Sequence, residues 1–302
     1  MRRLTLRVAE GESGERLDRF IAARGGISRG LARRALDSGG VFLDGRRCKV
    51  ASRAVQAGQR VEVNLEEGGR SGADQPPLEA VRLLHADSWL VAVDKPPGIP
   101  AQPTLTRDSG TIADLAAALV GGEPLTVVHR LDRETSGVTV LARTRDAAAA
   151  LSEAFRSGTP KKTYLALTAG APNPPDGRVE ARLGPDPLRP GRRVVTESGE
   201  EARTGYRTLR TGDRAALVEA SPETGRTHQI RVHLAHVGAP ILGDARYGGP
   251  RQVLETTVPR VMLHARRLEL PHPGTGALLA LEAPIPDDFR TVEAALLPPS
   301  TT

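Results

Sequence analysis

The spacing of apolar and polar positions along the chain changes several times, and each change marks an element. Leu17, Phe20 and Ile21 fall at helical spacing within residues 14–21. Ser28 suits the N-cap of a second helix, Arg29 to Asp37, which Gly39-Gly40 ends. Val41-Phe42-Leu43, the turn Asp44-Gly45 and the basic segment after it predict a hairpin, with Val61-Glu62-Val63 as a closing strand. Residues 66–77, rich in Gly, Asp, Glu and Pro, predict a flexible linker. Beyond it, Leu83 to Val93 reads as an apolar strand region. Leu125 to Val128 and the alternating Val138-Thr139-Val140-Leu141 bracket a polar stretch, which predicts strand, loop, strand. The alanine-rich residues 146–157, with Leu151 and Phe155 four apart, predict an amphipathic helix ended by Gly158. Residues 161–167 alternate basic or aromatic with apolar side chains, a strand pattern. The Pro-, Gly- and Arg-rich stretch 171–193 predicts an irregular excursion outside the core. Residues 223–235 read as a tight turn entering a helix, and no internal repeat or low-complexity tract interrupts the chain.

Composition narrows the class. At 302 residues with 39% hydrophobic content, the chain has room for one large domain and one small one. No apolar run reaches the ~20 residues of a membrane helix. The basic N-terminus lacks the apolar core of a secretory signal, so the expected location is the cytoplasm. A single cysteine, Cys48, excludes an internal disulfide framework and a cysteine-based zinc site. Charge is unevenly spread. Residues 1–60 hold fourteen Arg/Lys against six Asp/Glu, a net of +8, whereas the whole chain is +6. A basic module on a nearly neutral body predicts a polyanion as partner. On the second predicted helix Arg29 and Arg33 share a face, with Arg34 beside them.

Candidate chemistry concentrates in His129-Arg130-Leu131-Asp132-Arg133-Glu134-Thr135-Ser136-Gly137. A loop pinned between two strands commonly presents reactive groups, although composition alone allows a charged turn that only solvates itself. The spelling resembles the catalytic motif of the RluA family of RNA pseudouridine synthases, His-Arg-Leu-Asp-x-x-Thr-Ser-Gly. Further segments continue the resemblance: Asp94-Lys95-Pro96-Pro97-Gly98, Lys161-Lys162-Thr163-Tyr164, Gly225-Arg226-Thr227-His228-Gln229-Ile230-Arg231, Gly243-Asp244 with Tyr247-Gly248, and Leu263-His264-Ala265. Residues 13–65 resemble the alpha-L (ribosomal protein S4-like) RNA-binding domain. Two departures stand out: Gln102 where relatives carry a histidine, and Glu200 where they carry a lysine.

The resemblance implies an α+β fold. It expects a mixed, largely antiparallel catalytic domain of pseudouridine synthase type over 78–295, preceded by a small α/β alpha-L domain over 1–65 and the linker 66–77. It implies an isomerase that converts uridine to its C-glycoside, in large-subunit ribosomal RNA first and tRNA second, as a monomer. The reaction is redox-neutral and loses no atoms, so neither cofactor nor metal is expected. It needs a group beside the sugar that acts as nucleophile or base, and an ionised carboxylate can do either. That role falls to Asp132. Arg231 is expected to pair with it, because an uncompensated carboxylate in a dry pocket loses its anion. Tyr164 is expected to stack on the uracil of a flipped nucleotide. Arg130, His129, Thr135, Lys162, Arg226, His228 and Gln229 are expected around the substrate, with Arg130 entering the space the base vacates. Arg16, Arg29, Arg33, Arg34, Arg46, Arg47 and Lys49 are expected on RNA phosphates.

Three rival readings are weaker. Asp132 and Glu134 as a glycosidase pair lack an aromatic-lined sugar cleft. His228, His233 and His236 as a metal site are disfavoured, since 228 and 233 lie about 140° apart on a helix and no HExxH pattern occurs. A non-enzymatic RNA-binding or ribosome-assembly factor would not need Asp132, Tyr164 and Arg231 together.

Overall fold

A computed structural model describes residues 2–37, 39–65, 80–101, 110–189 and 191–297. These fall into two compact units, 2–65 with Gly110 and Thr111, and 80–101 with 112–297. The expected linker 66–77 and the departure at Gln102 lie outside the described residues.

The first unit contains β1 (Arg2–Arg7), α1 (Leu17–Gly25), α2 (Arg29–Asp37), β2 (Val41–Leu43), β3 (Arg46–Arg47) and β4 (Arg60–Leu65). Its antiparallel sheet has the order β1-β4-β2-β3. Leu17, Phe20 and Ile21 of α1 bury against Ala32, Ala35 and Leu36 of α2 and against Val41, Val61 and Val63 of the sheet. The Ser28 hydroxyl accepts from Leu31 N at 3.2 Å, which starts α2. At its end Gly40 N donates to Ala35 O at 2.7 Å. Asp44 and Gly45 take φ of 47° and 77°, the left-handed pair that a tight hairpin between β2 and β3 requires.

Asp18 is fully buried in α1, and three of the expected RNA-binding arginines converge on it. Arg16 Nε donates to Oδ1 at 3.1 Å, and Arg29 Nε and Arg33 Nε both donate to Oδ2 at 2.9 Å. Burial by itself raises the Asp18 pKa, but the three guanidinium hydrogen bonds overcome this and hold it well below the usual carboxylate range. The arginine side chains stay 42–49% exposed, so their remaining donors face outward. Arg46, Arg47 and Lys49 are exposed on the hairpin side of the same unit, with the Arg47 guanidinium over the Phe42 ring. The Arg34 side chain lies outside the described residues.

The second unit contains β5 (Arg82–Ala86), β6 (Leu90–Lys95), α3 (Ile112–Leu119), β7 (Thr126–Val127), β8 (Ser136–Ala142), α4 (Arg145–Ser157) and β9 (Lys161–Thr168). Then follow β10 (Asp176–Glu180), β11 (Leu183–Pro185), β12 (Arg193–Val195), β13 (Arg203–Thr211), β14 (Ala216–Pro222) and α5 (Gln229–His236). The chain closes with β15 (Gln252–Val253), β16 (Thr256–Thr257), β17 (Leu263–Pro271), β18 (Leu278–Glu282) and α6 (Asp287–Leu296). Its main sheet runs β10-β13-β14-β9-β17-β8-β6-β5, with β18 added on β17 and β7 on β8. Every pairing is antiparallel except β17 with β8, so the sheet is mixed and largely antiparallel.

The centre of this sheet is covered on both faces, which accounts for its nearly continuous apolar spelling. On β6, Leu90 and Ala92 pack with Leu151 of α4, whereas Val91 and Val93 pack with Ile112 and Leu115 of α3. A second core under β9, β14 and β17 takes Ile230 and Leu234 from α5 and Phe289 and Val292 from α6. The stretch 171–193 is not the irregular excursion its composition predicts. Val179 on β10 and Leu183 on β11 are buried, because β10 pairs with β13 and β11 forms a hairpin with β12. Among the described residues no helix is long and apolar enough to cross a membrane.

Asp18→Asn removes the charge and nearly keeps the shape. We expect it to destabilise the first unit by about 1–3 kcal/mol, seen as faster hydrogen exchange in α1 and α2. Because the folded pKa lies below the unfolded value of about 3.9, the stabilisation is complete above about pH 5 and fades as pH falls further. Unchanged exchange in the variant would contradict this.

Candidate active site

The motif loop descends from β7 and re-enters the sheet at β8, and both of its ends are fixed. At the start, His129 Nε2 accepts from Val140 N at 2.9 Å while its ring stacks on Phe155 at 4.3 Å. Burial, aided by Lys162, pushes the His129 pKa down to about 3, so the imidazole stays neutral. At the end, the Ser136 hydroxyl meets His264 Nδ1 at 3.0 Å. Gly137 has φ of 115°, and a Cβ there would lie 2.2 Å from Ala265 O. Only glycine lets β8 approach β17 so closely at the parallel pairing.

From the side, the loop is held by the Lys-Pro-x-Gly segment. Lys95 is fully buried, and its Nζ donates to Pro96 O and Ile99 O at 3.0 Å and to Arg133 O at 3.2 Å. Burial lowers its pKa to about 7, with Arg260 adding to the effect and Asp132, Glu134 and Asp94 opposing it. Gly98 N donates to Arg133 O at 2.8 Å, and Arg133 Nε returns a bond to Gly98 O at 3.0 Å. Lys95 has no expected site role from its spelling alone; the Asp-Lys-Pro-Pro-Gly segment is the only signal that marks it.

These anchors deliver Asp132 to Arg231. Arg231 sits in α5, 8% exposed, and its Nη1 donates to Asp132 Oδ2 at 2.9 Å. Its other edge is gripped by Asp244, with Nε to Oδ2 at 2.7 Å and Nη2 to Oδ1 at 2.9 Å. Desolvation alone lowers the Arg231 pKa, but the bonds and charges of Asp244 and Asp132 outweigh it and raise the pKa above the ordinary value. The guanidinium also lies 5.1 Å from the centre of the Tyr247 ring. His228, at the N-terminus of α5, places Nε2 3.8 Å from Asp132 Oδ2. Tyr164 on β9 is partly buried, and burial followed by the Asp132 charge raises its pKa well above the ordinary phenol value. It shares a small recess with His129, Lys162, Ala265 and Arg267.

The other expected site residues divide. Lys162 donates to Thr224 O at 3.2 Å, and burial lowers its pKa. Arg130 is exposed on the loop, whereas Thr135 is buried, with its N–H on Asp132 O at 3.1 Å. Arg226 is held by the neighbouring turn: it donates to Glu201 O and to Glu200 Oε1, both at 3.0 Å. Glu200, the charge reversal noted in the sequence, thus holds Arg226 and also Arg193, which donates to Oε2 at 2.8 Å. Gln229 is buried and its amide is fully used within the protein. Its Oε1 accepts from Thr224 Oγ1 and Arg226 N, and its Nε2 donates to Arg203 O and Thr204 Oγ1. It latches the turn instead of presenting a group to a substrate.

Among the described residues, His85, Asp87 and His272 form a group with metal-ligand types within reach of one another. Their hydrogen bonds do not suit a metal. His272 Nδ1 accepts from Gly274 N and Thr275 N at 3.1 Å, so its proton sits on Nε2, 2.9 Å from Asp87 Oδ2. A ligating imidazole has the opposite arrangement, lone pair on the metal and N–H on its partner. The trio clasps the turn between β5 and β6 to β17 and β18.

Comparison with known proteins gives the family. Residues 89–236 match the family model described as RNA pseudouridylate synthase, and residues 15–61 match the S4 domain. The chain is 37% identical over 244 residues to an uncharacterized RNA pseudouridine synthase of Bacillus subtilis, covering 79% of each. It is 34% identical over 299 residues to ribosomal large subunit pseudouridine synthase C of Escherichia coli K12, covering 94% of this chain and 93% of that one. A solved structure of human RNA pseudouridylate synthase domain containing 4 aligns with a TM-score of 0.59 and 31% identity, over 70% of this chain and 91% of that one. The chain belongs to the RNA pseudouridylate synthase family, a family of isomerases, and carries an N-terminal S4 domain.

Asp244→Asn takes away the carboxylate fork that holds Arg231. Breaking one partner of a buried ion pair is expected to lower stability by about 3 kcal/mol. Turnover should fall at least tenfold, because Arg231 loses the Asp244 charge and one of its three anchoring bonds. Wild-type melting temperature and wild-type turnover in this variant would contradict the assignment.

Proposed function

We propose that the chain isomerises specific uridines in large-subunit ribosomal RNA, with Asp132 as the reacting carboxylate. The observation that carries this reading is the Asp132–Arg231 contact of 2.9 Å at the mouth of an otherwise buried cation. Asp132 is 26% exposed, so one edge of the carboxylate faces outward while the other is held. A carboxylate so placed beside a flipped nucleotide can attack C1′ of the ribose or take a proton from C2′, and both uses call on the same outward oxygen. Arg231 places a compensating positive charge against its held oxygen. No cofactor enters, because the glycosidic bond is broken and remade without a change of redox state.

Tyr164 supplies the aromatic face for the uracil, next to Lys162 and His129, and Arg130 at the exposed end of the loop fills the gap left in the RNA. The S4 unit contributes phosphate contacts through Arg46, Arg47 and Lys49 and through the outward donors of Arg16, Arg29 and Arg33. Support for ribosomal RNA comes from the named activity of the Escherichia coli relative, and the S4 unit fits an RNA of high charge density. The same reading makes the enzyme a cytoplasmic monomer.

Carbodiimide mapping of pseudouridine after incubation with large-subunit ribosomal RNA and tRNA transcripts tests the substrate. We expect new stops in the ribosomal RNA. Stops only in tRNA would overturn the substrate, and stops in neither would overturn the activity. Tyr164→Ala should slow turnover about 10- to 100-fold, the range of one lost base stack, and change RNA affinity by less than threefold. Equal losses in both would contradict the stacking role. Replacing Arg46 and Arg47 together by Ala should reduce the salt dependence of RNA binding by about two phosphate contacts; an unchanged slope would remove these residues from the interface.

A further inference from the structure

His228 adopts φ 59° and ψ 17°, the left-handed region that only a few per cent of non-glycine residues enter, histidine among the more frequent. A ring kept in such a conformation suggests that its position matters. Its hydrogen bonds define its protonation. Arg193 N donates to Tyr247 Oη at 3.0 Å, so the phenol oxygen already accepts and its own proton points elsewhere. His228 Nδ1 lies 2.7 Å from that oxygen. A phenol that gives its own O–H to Nδ1 leaves a neutral imidazole with its hydrogen on Nε2. That N–H faces Asp132 Oδ2 at 3.8 Å. Arg231 already bonds the same oxygen, whereas no described residue hydrogen-bonds Oδ1.

We propose that Tyr247 is a positioning residue that fixes the tautomer of His228, so that the Nε2–H and Arg231 together hold Asp132 Oδ2 and leave Oδ1 for the ribose. The proposal rests on the reading of Asp132 as the reacting carboxylate. At 3.8 Å the His228 contact is open in the free enzyme, and it closes to hydrogen-bond length when RNA packs the site, as catalytic contacts often do. The charged and titratable groups around His228 are Asp132, Asp244, Arg231, Arg246 and Tyr247. Burial pushes the His228 pKa down; Asp132 and Asp244 oppose this, and Arg231 and Arg246 reinforce it. The ring is thus neutral at neutral pH, where only the tautomer decides which nitrogen donates.

The test uses the full chain. Nitrogen-15 spectra of the histidine rings should show His228 with an unprotonated Nδ1 and a protonated Nε2. Tyr247→Phe keeps the ring and removes the donor, and should slow single-turnover isomerisation about tenfold at pH 8, less than the roughly hundredfold of losing a preorganised donor outright. Because an imidazolium carries hydrogen on both nitrogens whatever its partner, the loss should shrink only as pH falls below the ordinary histidine pKa of about 6.5, since burial lowers that of His228. In a His228→Gln background, whose amide donor has no tautomer, adding Tyr247→Phe should change the rate little. A wild-type His228 protonated on Nδ1 would overturn the proposal. So would a Tyr247→Phe rate equal to wild type, or a loss of the same size at every pH. Absence of pseudouridine formation by the wild type would instead sink the proposed function, and the nitrogen-15 spectra would still decide the tautomer.

Discussion

A guanidinium buried between two carboxylates is the constraint on which this site depends. Arg231 is too deeply placed to remain unpaired, and Asp244 binds it through two bonds that fix the plane of the fork. One donor, Nη1, is left pointing out of the pair, and Asp132 meets it from a different part of the chain, 99 residues away in sequence. A lone arginine would bring Asp132 a charge; an arginine already clamped by Asp244 also brings a direction.

The fold supplies the remaining restraints. The loop bearing Asp132 cannot drift, because Gly137 sits against the backbone of Ala265, Ser136 bonds His264, His129 bonds β8, and Lys95 gathers three carbonyls from two loops. The parallel step between β8 and β17 brings Leu263-His264-Ala265 beside the loop. β9 lies on the other side of β17 and carries Tyr164. Sheet order thus explains why segments scattered from residue 94 to residue 265 meet around one carboxylate.

Much of this was legible in the sequence, and for identifiable reasons. α2 follows its cap and glycine signals, α4 follows the Leu151–Phe155 spacing, and the strands on either side of the motif follow their apolar patterns. The Asp132–Arg231 contact came from motif spelling, since no local pattern links residues so distant. Three features were hidden. The stretch 171–193 looks irregular because Pro and Gly dominate it, yet neighbouring strands impose pairing on β10, and β11 and β12 pair with each other. Gln229 reads as a site residue, but its four amide bonds go to the turn it closes and to Arg203 and Thr204 of β13. The basic face of the first unit reads as free charge, whereas Asp18, an inconspicuous position between Leu17 and Arg19, gathers three of its arginines. Side-chain partners of this kind depend on tertiary approach and leave no periodicity.

The most direct test of the central claim is tritium release from large-subunit ribosomal RNA carrying 5-tritiated uridine, with wild type and Asp132→Asn compared side by side. The amide keeps the size of the carboxylate and can neither attack the sugar nor take its proton. Release by the wild type and none by the variant is the predicted result. Release by both at similar rates would show that the isomerisation does not run through Asp132, and the role assigned to its carboxylate would be wrong.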